Sequence, residues 1–267
     1  MNWTNVFILA IVFSSSGRCN FIVNRLSFFP DRSRSVSENR LPLYISKTFI
    51  ITQDRKRLES YLFKNDTSRH LLIYFHGNGG NIFQRLPELK QFWAMGVNVL
   101  GVGYRGYGES SGSPSEKGIY RDAQAAVTYA TDSLHFSMKQ IIICGRSIGT
   151  TAAVDAAISR KPGGLILISP LTTGREYACA HGLKWCSFIV GNGFNNLSKC
   201  GQITCPVLIL HGTLDEVIPY SMGQAILSAI PGNNKKLVTI DKGFHNNLEL
   251  VDPGTFWNAI RDFLNNR

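Results

Sequence analysis

The chain has 267 residues, 44% of them hydrophobic and 17% charged, which is enough to bury a full core and carries no internal repeat or long low-complexity tract. The formal charge is +10, yet residues 1–57 hold nine Lys/Arg against three Asp/Glu, while the rest of the chain holds nineteen against fifteen. The excess belongs to a basic N-terminal flank (Arg18, Arg25, Arg32, Arg34, Arg40) that suits either an anionic membrane surface or a solvated leader. These basic residues do not cluster with aromatics on a recognisable module, which argues against nucleic acid as a partner.

Val6–Phe13 is an unbroken apolar octet followed by Ser14, Ser15, Ser16 and Gly17. Such a run is too short to span a bilayer and fits the apolar core of a secretory signal. Cys19 adds a second reading, a lipid-acceptor cysteine, although Arg18 stands where such signals have a small residue. Residues 1–19 are therefore expected to be a signal or anchor segment of an exported or membrane-associated chain. Residues 20–42 lack periodicity and read as a connecting arm.

Tyr44–Thr52 and Leu58–Phe63 alternate as a β-hairpin across a polar turn. Leu71–Phe75 is continuously apolar, as a strand buried on both faces must be, and runs into the turn-rich His76-Gly77-Asn78-Gly79-Gly80-Asn81. Apolar residues at helical spacing follow over Ile82–Met95. The alternation repeats: strand Val97–Val102, helix Ser115–Ser133 with Ser115 as N-cap, strand Gln140–Cys144, helix Ser147–Ser159, strand Leu165–Ser169. After a gap come strand Val207–Leu210, helix Tyr220–Ile230, strand Leu237–Ile240 and helix Pro253–Leu264. Strands separated by helices predict an α/β fold, a mostly parallel sheet with helices on both faces and the hairpin at one edge. Residues 171–204 have no strand and are expected to form a short lid insertion above the sheet.

Of the six cysteines, Cys144 ends an apolar strand and reads as a core residue. Cys179, Cys186, Cys200 and Cys205 fall within the insertion region, and in an exported chain they would pair as two disulfides. A zinc site is disfavoured, because no Cys-x-x-Cys spacing occurs and His181 is the only nearby histidine.

Parallel sheets place ligands beyond the carboxyl ends of their strands, and four such loops carry reactive residues. Gly145-Arg146-Ser147-Ile148-Gly149 follows a strand and opens a helix, the setting of a nucleophile elbow with Ser147 at its tip. Asp215, in His211-Gly212-Thr213-Leu214-Asp215, follows a late strand and can orient an imidazole; alone it would pass as a loop or capping residue, and Glu216, Asp241 and Asp252 compete with it. His245, in Lys242-Gly243-Phe244-His245-Asn246, is the only one of the six histidines to follow both Ser147 and Asp215. His70 and His135 read as fillers, and His76 and His211 as braces of their loops. The His76–Gly80 loop can turn a backbone N–H toward an oxyanion, with that of Ile148 as its partner. Gly101-Val102-Gly103-Tyr104-Arg105-Gly106 matches a dinucleotide fingerprint but continues into Tyr107–Pro114 rather than a helix, so no nucleotide cofactor is expected.

These stretches, together with Tyr104–Ser110 and Ser169-Pro170-Leu171-Thr172, resemble the α/β-hydrolases, in the branch that includes membrane-associated depalmitoylases and serine-aminopeptidase-like hydrolases. The resemblance runs from about Tyr44 to the end and implies a hydrolase domain over 43–267. It also implies Ser147, Asp215 and His245 as triad, and Asn78 and Ile148 as backbone donors. Two positions depart from the pattern: Gly103 stands where the family usually has Asp before Tyr-Arg-Gly, and Arg146 precedes the nucleophile.

The expectation is a serine hydrolase that cleaves an acyl ester or thioester through an acyl-enzyme, with no metal and no organic cofactor. Trp185 and Phe188, in the apolar insertion, are expected to contact the acyl chain. An amide or peptide hydrolase is one alternative, disfavoured because nothing evident binds a peptide terminus. A non-catalytic surface-exposed binding protein on a hydrolase scaffold is another, and it would be favoured by a missing triad member. The leaving group and the oligomeric state are not legible.

Overall fold

The computed structural model describes residues 27–33, 40–182 and 192–267. The leader, Cys19, Cys186, Trp185 and Phe188 lie outside these described residues.

Strands β1 (Ile45–Ile51) and β2 (Arg57–Phe63) form the expected antiparallel hairpin. They are followed by β3 (Leu71–Phe75), α1 (Leu86–Trp93, entered through a 3-10 turn over Phe83–Arg85), β4 (Asn98–Val102), α2 (Glu116–Thr128), β5 (Ile141–Arg146), α3 (Gly149–Arg160) and β6 (Gly164–Ile168). Two short helices, α4 (Gly174–Ala180) and α5 (Leu197–Cys200), occupy the insertion. Then come β7 (Val207–Gly212), α6 (Tyr220–Ala229), β8 (Lys235–Ile240), α7 (Leu248–Val251) and α8 (Pro253–Asn265). The strands make one eight-stranded sheet in the order β1-β2-β4-β3-β5-β6-β7-β8. Only β2 runs against the others, since it pairs antiparallel with both β1 and β4. From β3 the chain steps to β4 on one side and to β5 on the other, so the strand order reverses at β3. A crevice beyond the carboxyl ends opens at such a point.

The sheet is buried on both faces because its central strands are apolar along nearly their whole length. On β3, Leu71, Ile73 and Phe75 point into one core with α2, α3 and α6, while Leu72 and Tyr74 point into the other with α1 and α8. Ser115 caps α2 by accepting the N–H of Gly118 at 3.1 Å. The helix read over Ser115–Ser133 does not stay α-helical: Tyr129–Ser133 widens into a π-type turn. Among the described residues no helix is long and apolar enough to cross a membrane.

The arm is not merely a connector. Phe28 is 4% exposed and packs on Phe194 with ring centroids 5.9 Å apart. The insertion is fastened at both ends. Asn196 is buried and donates to the Leu171 carbonyl at 3.0 Å, and Lys199 pairs with Asp155 of α3 at 2.7 Å. Phe194, Cys200 and Ile203 are buried in the main core, so these apolar residues serve packing.

The two-disulfide expectation is corrected here. Cys179, Cys200 and Cys205 are free thiols. Cys200 lies within the core and Cys205 packs against it, where they act as small apolar groups. Burial pushes the Cys200 thiol up to about 12 and the Cys205 thiol up to about 11, which keeps both in the protonated form at neutral pH.

Phe256 is fully buried on α8 and stacks edge-on against Trp257. Phe256→Ala is expected to lower the unfolding free energy by about 3–5 kcal/mol through lost burial and an unfilled cavity. Urea unfolding checks this, and a change below about 1 kcal/mol would show that α8 does not close that core.

Candidate active site

Ser147 sits between β5 and α3 with φ +56°, a left-handed conformation that costs a non-glycine residue about 1–2 kcal/mol. The two flanking glycines make the turn possible. A Cβ on Gly145 would lie 2.8 Å from the Cβ of Ala153, and one on Gly149 would run into the carbonyl oxygens of Phe75 and His76. The N terminus of α3 is thereby pressed against the end of β3. The Ser147 N–H is held by the Ile168 carbonyl at 2.8 Å, and the Ser147 carbonyl accepts from the N–H of Thr150 at 2.9 Å. The hydroxyl is what remains free to project.

It projects onto His245. The Nε2 of His245 is 3.0 Å from Ser147 Oγ, and its Nδ1 is 3.0 and 2.9 Å from the two carboxylate oxygens of Asp215. Three residues from three separate loops, spanning 98 positions of sequence, thus form one hydrogen-bonded chain. With two acceptor oxygens on Nδ1, that nitrogen carries the proton, which leaves Nε2 as an acceptor toward the serine hydroxyl. Asp215 and His245 are 7% and 6% exposed.

Asp215 is itself over-determined. Its Oδ1 accepts the N–H groups of Val217 at 3.0 Å and Ile218 at 2.7 Å, and His211 Nε2 lies 3.4 Å from its Oδ2. Burial pushes the carboxyl up, but the hydrogen bonds from His211, His245 and Ile218 outweigh it and hold Asp215 well below the usual carboxylate range. His211 therefore does more than brace its loop, because its ring also touches the acid. Of the competing carboxylates, Glu216 accepts the backbone N–H of His245 at 3.1 Å, Asp241 bonds Thr213, and Asp252 caps α8. These three side chains are thus engaged away from the imidazole.

The His76–Gly80 loop lies beside Ser147: a Cβ on Gly77 would come 3.5 Å from that of Ser147. The side-chain Oδ1 of Asn78 accepts the hydroxyl of Tyr107 at 3.0 Å and the N–H of Phe29 at 2.9 Å. Among the described residues, neither the backbone N–H of Asn78 nor that of Ile148 donates to a backbone carbonyl. His76 is fully buried beneath this loop, and desolvation lowers its imidazole to about 3, so it stays neutral.

Both departures from the family pattern acquire a local reason. A side chain at Gly103 would meet the Glu59 carbonyl at 2.6 Å, so there is no room for Asp. The buried Glu59 carboxylate lies at the next turn, against Gly108, and accepts the N–H of Glu109 at 2.8 Å and the hydroxyl of Tyr61 at 2.7 Å. Arg146 reaches away from Ser147 and lies between Glu88 and Glu249, each at 3.1 Å, with a longer 3.4 Å contact to the His245 carbonyl. Burial works against its charge, but Glu88, Tyr74 and Glu249 more than offset this, so Arg146 stays a cation. Neither the Arg146 cluster nor the arm on Asn78 had a signal in the sequence beyond an arginine in an unusual place. Among the described residues no group of three or more His, Cys, Asp or Glu gathers as a metal site.

Comparison with known proteins agrees with this architecture. A family model described as serine aminopeptidase, S33, matches residues 66–199 and 196–249. Alpha/beta hydrolase domain-containing protein 17B of Homo sapiens is 34% identical over 202 residues, covering 74% of this chain and 67% of that one. An uncharacterised protein of Mycobacterium tuberculosis is 29% identical over 266 residues, covering 97% of this chain and 93% of that one. Among solved structures, an alpha-beta hydrolase from Vibrio vulnificus superimposes with a TM-score of 0.75 at 23% identity, over 92% of this chain and 95% of that one. The Pyrococcus furiosus esterase Pf2001 gives 0.72 at 21% identity, over 89% and 96%. The chain belongs to the serine aminopeptidase S33 family of the α/β-hydrolase superfamily.

Removing Arg146 would leave Glu88 and Glu249 close together in a half-buried place with no counter-charge. Arg146→Ala is expected to destabilise the fold by about 3–5 kcal/mol at neutral pH. Urea unfolding of the variant measures it, and a loss within about 1 kcal/mol would show that solvent already screens the cluster.

Proposed function

We propose that this hydrolase works by acyl transfer to Ser147 and cleaves a carboxylic ester or thioester. The observation that carries the reading is the single imidazole held at 3.0 Å from Ser147 Oγ on one side and at about that distance from both oxygens of Asp215 on the other. In this reading the neutral Nε2 of His245 takes the hydroxyl proton as Oγ adds to the acyl carbonyl. The resulting imidazolium is stabilised by Asp215, which stays ionised. The tetrahedral oxyanion is received by the N–H groups of Asn78 and Ile148. His245 then returns its proton to the departing alkoxide or thiolate as the carbon–heteroatom bond breaks. A water molecule, deprotonated by the same imidazole, releases the acid and restores Ser147.

Support for a small acyl substrate over a peptide comes from the charges. Around the catalytic loops, the ionic groups described above are engaged: Arg146 by two glutamates, and Asp215 by two histidines and two amides. Neither of these two described groups is left over to hold a peptide terminus. Pf2001, which shares the fold, is an esterase, and ester cleavage is the chemistry proposed here.

Ser147→Ala is expected to abolish hydrolysis of p-nitrophenyl acyl esters, and Asp215→Asn to lower kcat by about 10⁴ while keeping the fold. Initial rates with circular dichroism on the same samples check both. Full activity in Ser147→Ala would refute the nucleophile, and an equal loss in Asp241→Asn with none in Asp215→Asn would transfer the acid role.

The pH dependence follows from the same chain. Only neutral imidazole accepts the serine proton, and Asp215 is ionised throughout the working range, so kcat/KM is expected to fall on acidification with first-order dependence on one proton. A log–log profile with a limiting slope of two, or no acid limb at all, would contradict a lone histidine base.

A further inference from the structure

The arm preceding the hairpin runs across the catalytic edge and is bonded to it nearly residue by residue. Phe29 donates its N–H to Asn78 Oδ1 at 2.9 Å. Pro30 forms a β-bridge with Gly80, and the Asp31 N–H donates to the Gly80 carbonyl at 3.3 Å. The Asp31 carbonyl accepts the N–H of Gly108 at 2.7 Å, and the Asp31 side chain accepts from Gln84 Nε2 at 2.6 Å. Arg32 Nε donates to the Gly106 carbonyl at 3.2 Å, and Asn81 Nδ2 donates to the Ser33 carbonyl at 3.3 Å. These few residues therefore tie the loop after β3 to the loop after β4. At the head of the segment Phe28 is 4% exposed and packs against Phe194 of the insertion, whereas the next residue, Phe29, is 64% exposed. Phe28 is the anchor and Phe29 contributes its backbone.

The loop so tied is rich in glycine. Gly77, Gly79 and Gly80 flank Asn78, and glycines lose the most conformational freedom when fixed. The Asn78 side chain is held by two donors, one from the arm and one from Tyr107. The peptide plane that carries the Asn78 N–H also carries the Gly77 carbonyl, which His76 Nδ1 meets at 2.7 Å, and the arm's bonds to the Asn78 side chain and to the Gly80 carbonyl hold the loop just beyond it.

We propose that residues 28–33 are a positioning strap, which holds the Asn78 loop in the orientation that presents its N–H to the oxyanion. This rests on the acyl-transfer reading above. The strap touches no reacting atom; it acts through Asn78. Its contribution belongs to the transition state, because the donor is demanded most when the carbonyl oxygen becomes an anion.

The test uses the full chain with a p-nitrophenyl ester as substrate and an alkyl trifluoromethyl ketone as inhibitor. Ser147 Oγ adds to the ketone carbonyl, its proton passes to His245, and the former carbonyl oxygen becomes the anion that the hole receives. Phe28→Ala is expected to lower kcat about tenfold with KM within about twofold, and to raise the ketone Ki about tenfold, part of what losing an oxyanion donor outright would cost. Phe28→Leu should restore most of both. Asp31→Ala, a half-buried change outside the apolar core, should give the same split at about threefold and keeps the test open should Phe28→Ala not fold. Variants with unchanged kcat and ketone Ki, differing only in melting temperature, would reduce the strap to ordinary packing and overturn the proposal. A wild-type chain that hydrolyses no ester and binds no ketone would refute the acyl-transfer reading and the strap's role with it. An active wild type with unaltered variants removes the strap alone.

Discussion

The site depends on the close approach of the α3 N terminus to the end of β3. Gly149 permits it, since any side chain there would collide with the carbonyl oxygens of Phe75 and His76. That approach forces the chain to turn sharply at Ser147, which adopts a left-handed backbone at φ +56°. The strain is tolerated because the surroundings over-determine it: β5 is paired with β3 on one side and β6 on the other, and both faces are buried. The turn also commits the Ser147 N–H to Ile168, so the next free amide along the chain is that of Ile148, at the opening of the helix. In the proposed reaction, one steric constraint thus places nucleophile, oxyanion donor and helix N terminus together.

Around this turn the polar groups are arranged in closed sets. Asp215 would be costly as a buried carboxylate, and donors from Val217, Ile218, His211 and His245 offset that cost. Arg146 would be costly as a buried cation, and Glu88 and Glu249 offset it in turn. The two sets meet at His245, whose ring belongs to the first and whose carbonyl touches the second. Binding and catalysis on such a frame require little reorganisation of charge, which is the condition under which fixed dipoles stabilise a transition state.

The sequence was most informative where a residue type has few alternatives. Gly145 and Gly149 around Ser147, the continuous apolar runs of β3 and β5, and the chain order Ser147, Asp215, His245 all follow from backbone sterics or burial, and they located the elbow, the sheet and the three loops. It was less informative where partners meet from distant segments through ordinary residues. Nothing in Phe28–Ser33 marks a segment that crosses the sheet edge, because its bonds are mostly backbone bonds and carry no side-chain periodicity. Arg146 was visible as an oddity, but its partners Glu88 and Glu249 lie 58 and 103 positions away. The cysteines misled because four in a short stretch read equally as disulfides and as small core residues. In the structure Cys200 is buried in the core and Cys205 packs against it.

The central claim is that Ser147 carries the acyl group during turnover, and trapping that group tests it most directly. The chain is mixed rapidly with excess p-nitrophenyl ester, quenched in acid within the first turnovers, digested and analysed by mass spectrometry. The account predicts one acyl group per chain, on the peptide that contains Ser147, accompanied by a stoichiometric burst of p-nitrophenolate before the steady state. Turnover with no burst and no adduct, or an adduct on any other residue, would contradict it.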